Sequence, residues 1–139
     1  MSTSFEHKSV WITLVSLIVV LVAYSIPAGY LLASGITIMA PYVGLFIAAV
    51  VLQIVIMIFG HIAAALVSRP EEADERDRLI EWRSEHYSSW VLGAGVFMAM
   101  MLLATPIAKV WPTHLLLVSM FLAEILKATL RLVSYRRGF

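Results

Sequence analysis

Residues 41–67 read PYVGLFIAAVVLQIVIMIFGHIAAALV, an apolar run that contains no Asp, Glu, Lys or Arg. A helix needs roughly 20 such residues to cross a hydrocarbon layer ~30 Å thick. Three further apolar stretches, residues 10–32, 90–108 and 112–133, are near or above that length. The sequence therefore predicts four membrane-spanning helices.

The composition supports this prediction, because 61% of the 139 residues are hydrophobic and only 14% are charged. A soluble domain of this size has no place for so much apolar surface. We therefore predict one all-α domain over residues 1–139: an integral membrane four-helix bundle, with a charged cytoplasmic helix between spans two and three. The chain has no cysteine, which excludes disulfides, thiolate metal ligands and a cysteine nucleophile.

The basic residues predict the orientation of the spans. Lys and Arg near the ends of spans are retained on the cytoplasmic side during insertion. One predicted side carries only Lys109. The other side carries Lys8, Arg69, Arg76, Arg78, Arg83, Arg131, Arg136 and Arg137. We expect the N-terminus, the C-terminus and the middle connection to be cytoplasmic.

The middle connection, residues 68–90, reads SRPEEADERDRLIEWRSEHYSSW and is the only long polar stretch of the chain. Ser68 and Glu71 have the spacing of a capping box, and Pro70 fits the first turn of a helix. A helix is expected to restart here and to continue into the third span. Seven acidic residues against four arginines favour docking onto protein over attraction to anionic lipid. A solvated connector is the alternative interpretation.

The fourth span contains the strongest chemical signal, Glu124 and Lys127. Ionisable groups within a membrane are costly and usually face other protein or water. Glu124 lies roughly 18 Å along the span from Pro112 at ~1.5 Å per residue, and Gln53 lies at a matching depth in the second span. The predicted intramembrane polar layer is Gln53, Glu124, Lys127 and Arg131.

Two interpretations of this layer remain open. In the first, Glu124 and Lys127 form an ion pair within one helix, Gln53 completes the hydrogen bonds, and the layer fixes the register of the helices. In the second, Glu124 titrates and carries a proton or binds a cation.

Other chemistry is not indicated by the sequence. The histidines lack the spacing that places metal ligands on one helix face, and there is no Gly-rich phosphate loop or nucleophile elbow. We expect no enzymatic activity, no cofactor, no metal site and no direct contact with nucleic acid. Three pairs of small residues four positions apart, Gly44 with Ala48, Gly60 with Ala64 and Gly95 with Ala99, predict close helix packing instead.

The second half of the chain contains four notable segments: DERDRLIEWR from Asp74, WVLGAG from Trp90, AEILK from Ala123 and the ending YRRGF from Tyr135. In these segments it resembles a family of small, four-span bacterial inner-membrane proteins of unassigned function. The resemblance implies a bacterial inner membrane and no known catalytic residue. Some members are encoded beside small helix-turn-helix regulators. The positions that it emphasises are Asp74, Glu75, Arg76, Asp77, Arg78, Arg83, Glu124, Lys127, Tyr135, Arg136, Arg137 and Gly138.

Two functions are consistent with these observations. The first is a membrane protein that acts through protein contacts, as a homo-oligomer or as the membrane partner of a cytoplasmic protein. The alternative is a small transporter or channel subunit that uses the polar layer around Glu124.

Overall fold

The computed structural model describes residues 5–67 and 74–137, apart from the side chain of Arg137. These residues form four helices and no strand, which confirms the all-α prediction. The helices are α1 (Phe5–Ala33), α2 (Ala40–Val67), α3 (Glu75–Leu103) and α4 (Val110–Arg137).

Three of these helices, α1, α2 and α3, are long and apolar enough to cross a membrane. The prediction of a membrane protein is supported to that extent. Helix α4 is not among them, and its apolar run is interrupted by Glu124, Lys127 and Arg131. The fourth span therefore stays a prediction.

Helix α3 begins at a capping box that the sequence analysis did not identify. Asp74 is its N-cap: the Asp77 backbone N–H donates to Asp74 Oδ1 at 2.8 Å, and the Asp74 N–H donates to Asp77 Oδ2 at 3.4 Å. This reciprocal pair satisfies backbone donors that the first turn would otherwise leave unpaired. The capping box predicted at Ser68 and Glu71 lies outside the described residues. Helix α3 runs unbroken to Leu103, so the charged segment and the apolar segment after it form one helix.

The turn between α1 and α2 depends on Gly35. Its φ of +76° lies in the left-handed region, where a residue with a Cβ is strained. The Gly35 N–H donates to Leu32 O at 3.0 Å and the Ile36 N–H to Leu31 O at 3.1 Å, the pattern of a Schellman C-cap. The Tyr42 hydroxyl donates to Ile36 O at 2.6 Å and holds the turn against α2.

The four helices form an open row in the order α2, α1, α4, α3. Within the described residues, backbone contacts occur only between α1 and α2, α1 and α4, and α3 and α4. The predicted four-helix, all-helical fold is confirmed in the described residues, and within it α2 contacts neither α3 nor α4 in this way. Helix α2 in particular keeps most of its surface uncovered, with only 6% of its most apolar stretch buried.

The contact between α3 and α4 is built from small side chains, which allow two backbones to approach closely. On α3 this stripe comprises Ser84, Ser88, Gly95 and Ala99, and on α4 it includes Ser119 and Ala123. The hydroxyl groups of the three serines donate to carbonyl oxygens of their own helix, so the stripe buries no unpaired hydroxyl.

The glycines of the three predicted small-residue pairs differ in how closely a neighbouring helix approaches them. A Cβ at Gly95 would collide with the Cβ and Oγ of Ser119, and a Cβ at Gly60 would lie 2.5 Å from Cγ2 of Ile12. Gly44 has nothing within 4 Å of that point. Gly60 and Gly95 therefore set the approach of α2 to α1 and of α3 to α4, whereas Gly44 does neither.

We predict that Gly95→Ala lowers the free energy of unfolding by about 1–3 kcal/mol, because the added methyl group overpacks the contact with Ser119. The change is measured by thermal unfolding in a mild detergent. Gly93→Ala is the matched control, since a Cβ at Gly93 meets nothing within 4 Å. The double variant Gly95→Ala with Ser119→Gly is expected to recover most of the loss. Equal stability of the two single variants would contradict this account of the interface.

Candidate functional site

Charged residues from three helices meet at one end of the molecule. Lys127 Nζ lies 3.3 Å from Glu85 Oε1, joining α4 to α3. Arg131 contacts two carboxylates, Glu81 Oε1 of α3 and Glu6 Oε2 of α1, each at 3.3 Å. We call these five residues the charged row. Arg131 thereby links α1, α4 and α3 through one guanidinium group.

The predicted ion pair between Glu124 and Lys127 is wrong, because Lys127 pairs with Glu85 instead. The reason is the antiparallel arrangement of α3 and α4. Bases four positions apart on α4 face acids four positions apart on α3, so each base meets an acid of the neighbouring helix. The charged half of α4 therefore lies beside the charged half of α3.

Glu6, Glu81 and Glu85 were absent from the predicted polar layer. A signal for two of them was nevertheless present in the sequence. Asp77, Glu81 and Glu85 recur every four residues, as do Lys127 and Arg131. A short connection between two helices places such rows face to face. Glu6 carried no comparable signal, because its contact with α4 spans 125 positions of the chain.

The six residues predicted to form a cytoplasmic docking helix fall into two groups. Asp74 and Asp77 are engaged in the N-cap of α3. The other four are exposed: Glu75, Arg76, Arg78 and Arg83.

The face of α3 opposite its buried residues carries large exposed side chains. At 100° per residue, Leu79, Trp82 and His86 lie roughly 140–160° around the helix from the buried Ser84. Leu79 is 61% exposed and Trp82 is 69% exposed. The Trp82 and His86 rings stack with their centroids 6.2 Å apart. We call Leu79, Trp82 and His86 the outer face of α3.

The C-terminal motif is only partly described. Tyr135 of α4 packs against α1, with its ring centroid 6.3 Å from that of His7. Its hydroxyl is buried and has no hydrogen-bond partner among the described residues. Arg136 is exposed, while the Arg137 side chain and Gly138 lie outside the description.

The buried Tyr135 hydroxyl lies beyond the predicted fourth span, near the charged row. Burial raises the pKa of Tyr135 from 10.0 to about 12, because the phenolate would lose its hydration. The negative charge of Asp77 adds to the rise, and the neighbouring Arg131 opposes it.

Gln53 and Glu124 line the same groove, as the predicted layer required, but they do not share a hydrogen bond. The Gln53 side-chain amide donates from Nε2 to Ser16 Oγ of α1 at 3.0 Å. Its Oε1 is buried and has no partner among the described residues. Gln53 therefore joins α2 to α1 rather than to α4.

This groove lies between α2 and α4, with α1 as its floor. It contains two adjoining cavities of about 240 Å³ and 390 Å³, which share Phe46 and Met120 in their walls. We call it the α2–α4 groove. Its lining includes Leu17, Tyr24, Met39, Tyr42, Val43, Phe46, Ala49, Val50, Gln53, Ile54, Leu92, Met120, Phe121 and Glu124.

Glu124 is the one charged side chain of the α2–α4 groove, as far as the described residues define it. It is exposed, and no described residue forms an ion pair or a hydrogen bond with it. On its other side it lines a smaller cleft of about 160 Å³ with Ser9, Thr13, Lys127 and Arg131. Glu124 thus separates the groove from the charged row.

Two further observations bear on function. Among the described residues, no group of three His, Asp or Glu side chains is arranged to hold a metal ion. Comparison of the chain with protein-family models, curated proteins and solved structures finds no match.

We predict that stability declines between about pH 10 and pH 12 because of Tyr135. The folded state holds the phenol proton more tightly than the unfolded chain, so this contribution is complete below pH 10 and is lost as the pH rises through 12. Thermal unfolding measured across this pH range should show a smaller decline in stability for Tyr135→Phe than for the wild type. The exposed Tyr87→Phe is the control. An identical decline in Tyr135→Phe and the wild type would rule out this role.

Proposed function

We propose that this chain is a non-enzymatic, multi-pass membrane protein that acts through protein contacts, as a homo-oligomer or as the membrane partner of a cytoplasmic protein. The observation that carries the proposal is the outer face of α3. Leu79 and Trp82 are large and exposed at the charged end of the molecule, on the side of α3 opposite the residues that pack against α4.

A helix that only connected two spans would need no such side chains. Exposed aromatic residues on a rigid element are typical centres of protein interfaces, because they bury much area at little cost in side-chain entropy. Exposed charged side chains, including Arg78 and Arg83, border the aromatic residues on α3. A polar rim around an aromatic centre matches the anatomy of a specific contact.

The compartment and topology belong to the same proposal. The bacterial inner membrane is suggested by the resemblance of residues 74–139 to small four-span inner-membrane proteins. The distribution of Lys and Arg supports cytoplasmic termini and a cytoplasmic start of α3. The charged row fits this arrangement, because it gathers charges from α1, α3 and α4 at one end of the molecule.

A second candidate function is a transporter or channel subunit that uses Glu124. The α2–α4 groove favours it, because the Glu124 carboxylate, which has no partner among the described residues, is exposed in a mainly apolar groove. A group of this kind within a membrane usually marks the route or binding site of an ion or substrate.

The topology can be tested with single cysteines, because the chain has none of its own. Ser34→Cys lies in the turn between α1 and α2, and Glu75→Cys lies in the first turn of α3; both positions are exposed. In intact cells, an impermeant thiol reagent should label position 34 and should label position 75 only after the membrane is opened. The reverse pattern would contradict the orientation.

The contact face can be tested by combining Leu79→Ala with Trp82→Ala. We expect the native mass in a mild detergent to fall to that of a single chain, or a co-purifying cytoplasmic protein to be lost, because the apolar centre of the contact is removed. Trp111→Ala is the matched control, since Trp111 is 50% exposed at the other end of the molecule. Unchanged mass and unchanged co-purifying proteins in the double variant, with the helix content intact, would refute the contact face.

A further inference from the structure

The α2–α4 groove has the size and chemistry of a ligand site. Its larger cavity of about 390 Å³ falls within the range of about 300–1,000 Å³ that binds small molecules. Tyr24, Tyr42, Phe46 and Met120 contribute aromatic rings and a flexible thioether to its walls. Such walls suit a flat or bulky apolar body, and methionine adapts to differences in shape.

The two ends of the groove differ in chemistry: one is lined in part by polar and charged side chains, and the other is almost wholly apolar. Its smaller cavity, of about 240 Å³, is bounded by Leu17, Ala49, Ile54 and Phe121, and also by Gln53 and Glu124. Glu124 does not line the larger cavity, which is almost wholly apolar. A ligand that filled both cavities would therefore meet a carboxylate at one end only.

The charge of Glu124 is not neutralised by the nearest bases. Lys127 and Arg131 line the cleft next to it, but both are engaged by other carboxylates. Lys127 pairs with Glu85, and Arg131 is shared by Glu6 and Glu81. Together with Glu124, the charged row therefore presents four carboxylates to two bases.

A carboxylate next to apolar walls gains from a positively charged partner. Its attraction to a cation is stronger there than in water, because the surrounding dielectric is lower. An anion would be repelled, and a neutral ligand would leave the carboxylate unpaired. The complementary ligand has an apolar body and one positive charge.

We propose that the α2–α4 groove binds amphipathic organic cations, with the cationic group on Glu124 and the apolar body between α2 and α4. This proposal rests on the second candidate function and names its ligand class. Binding does not depend on the outer face of α3, so the Leu79→Ala, Trp82→Ala variant retains the site.

The test uses the full chain in nanodiscs of phosphatidylcholine, titrated with tetraphenylphosphonium by calorimetry, with empty nanodiscs as the baseline. Tetraphenylborate has the same shape and the opposite charge, so it reports partition into lipid and apolar binding without the carboxylate. We expect saturable binding of tetraphenylphosphonium to the wild-type protein and no saturable binding of tetraphenylborate.

Two pairs of variants locate the site. Glu124→Gln keeps the shape of the side chain and removes its charge, and we expect it to weaken tetraphenylphosphonium binding about tenfold or more, which corresponds to ~1.4 kcal/mol. Glu75→Gln, an exposed acid outside the groove, should not change it. Val50→Trp should block the groove, whereas Val51→Trp, also exposed on α2 but outside the groove, should bind as the wild type does.

Several outcomes would overturn the proposal. These are the absence of saturable binding, equal affinities of the wild type and Glu124→Gln, and equal effects of the two tryptophan variants. If Val50→Trp lowers the native mass while cation binding persists, a second copy of the chain occupies the groove and the proposal is rejected. Flux of the same cation into vesicles tests transport separately, since binding without flux would reject transport and keep the site.

Discussion

The structure depends on the ion pairs that join α4 to its two neighbours. Arg131 is central, because one guanidinium group contacts Glu6 of α1 and Glu81 of α3. Lys127 adds a second contact to α3 one helical turn away. The Arg131 side chain is only 18% exposed, so its charge is partly desolvated and needs these partners. The carboxylates of Glu81 and Glu85 are half exposed or more, which limits the stabilisation from each pair to a modest amount. The main effect of the charged row is on the register of the helices. It aligns the charged halves of α3 and α4, and this also aligns their apolar halves.

Once the bases are occupied in this way, Glu124 is left without a partner in the described residues. It lies on the same helix as Lys127 and Arg131 but opens onto the α2–α4 groove. The groove exists because α2 contacts only α1 and does not close against α4. An open row of helices and an unpaired carboxylate are thus two consequences of one arrangement. The small-residue stripe between α3 and α4 has the opposite effect, since it brings these two helices so close that a methyl group at Gly95 does not fit.

Much of the fold could be predicted from the sequence, and the reasons are local. Apolar runs and their lengths predict helices, so the all-α class is confirmed, and the charged residues from Glu75 share one helix with the apolar segment that follows. Asp74 was not identified from the sequence as the N-cap of α3, although it has an acidic residue three positions on, and its reciprocal hydrogen bonds with Asp77 form the capping box. The capping box predicted at Ser68 lies outside the described residues. Gly60 and Gly95 proved to be contact positions, but Gly44 did not, because spacing alone does not say which face a neighbour covers.

The site was harder to predict because it depends on contacts between helices. Depth counted along single helices placed Gln53 and Glu124 together, and both do line the α2–α4 groove. The same count could not show that Gln53 bonds to Ser16 or that Lys127 faces Glu85, because it contains no information on which helices are neighbours. Pairing rules within one helix favoured Glu124 as the partner of Lys127, and the tertiary contact prevailed.

The most direct test of this account compares two double-mutant cycles that share Lys127→Gln. One cycle combines it with Glu85→Gln and the other with Glu124→Gln, and the free energy of unfolding is measured in a mild detergent. The structure predicts a coupling of about 0.5–1 kcal/mol between Lys127 and Glu85, and additive effects for Lys127 and Glu124. Coupling between Lys127 and Glu124, with additive effects for Lys127 and Glu85, would contradict the charged row and restore the pair within a single helix.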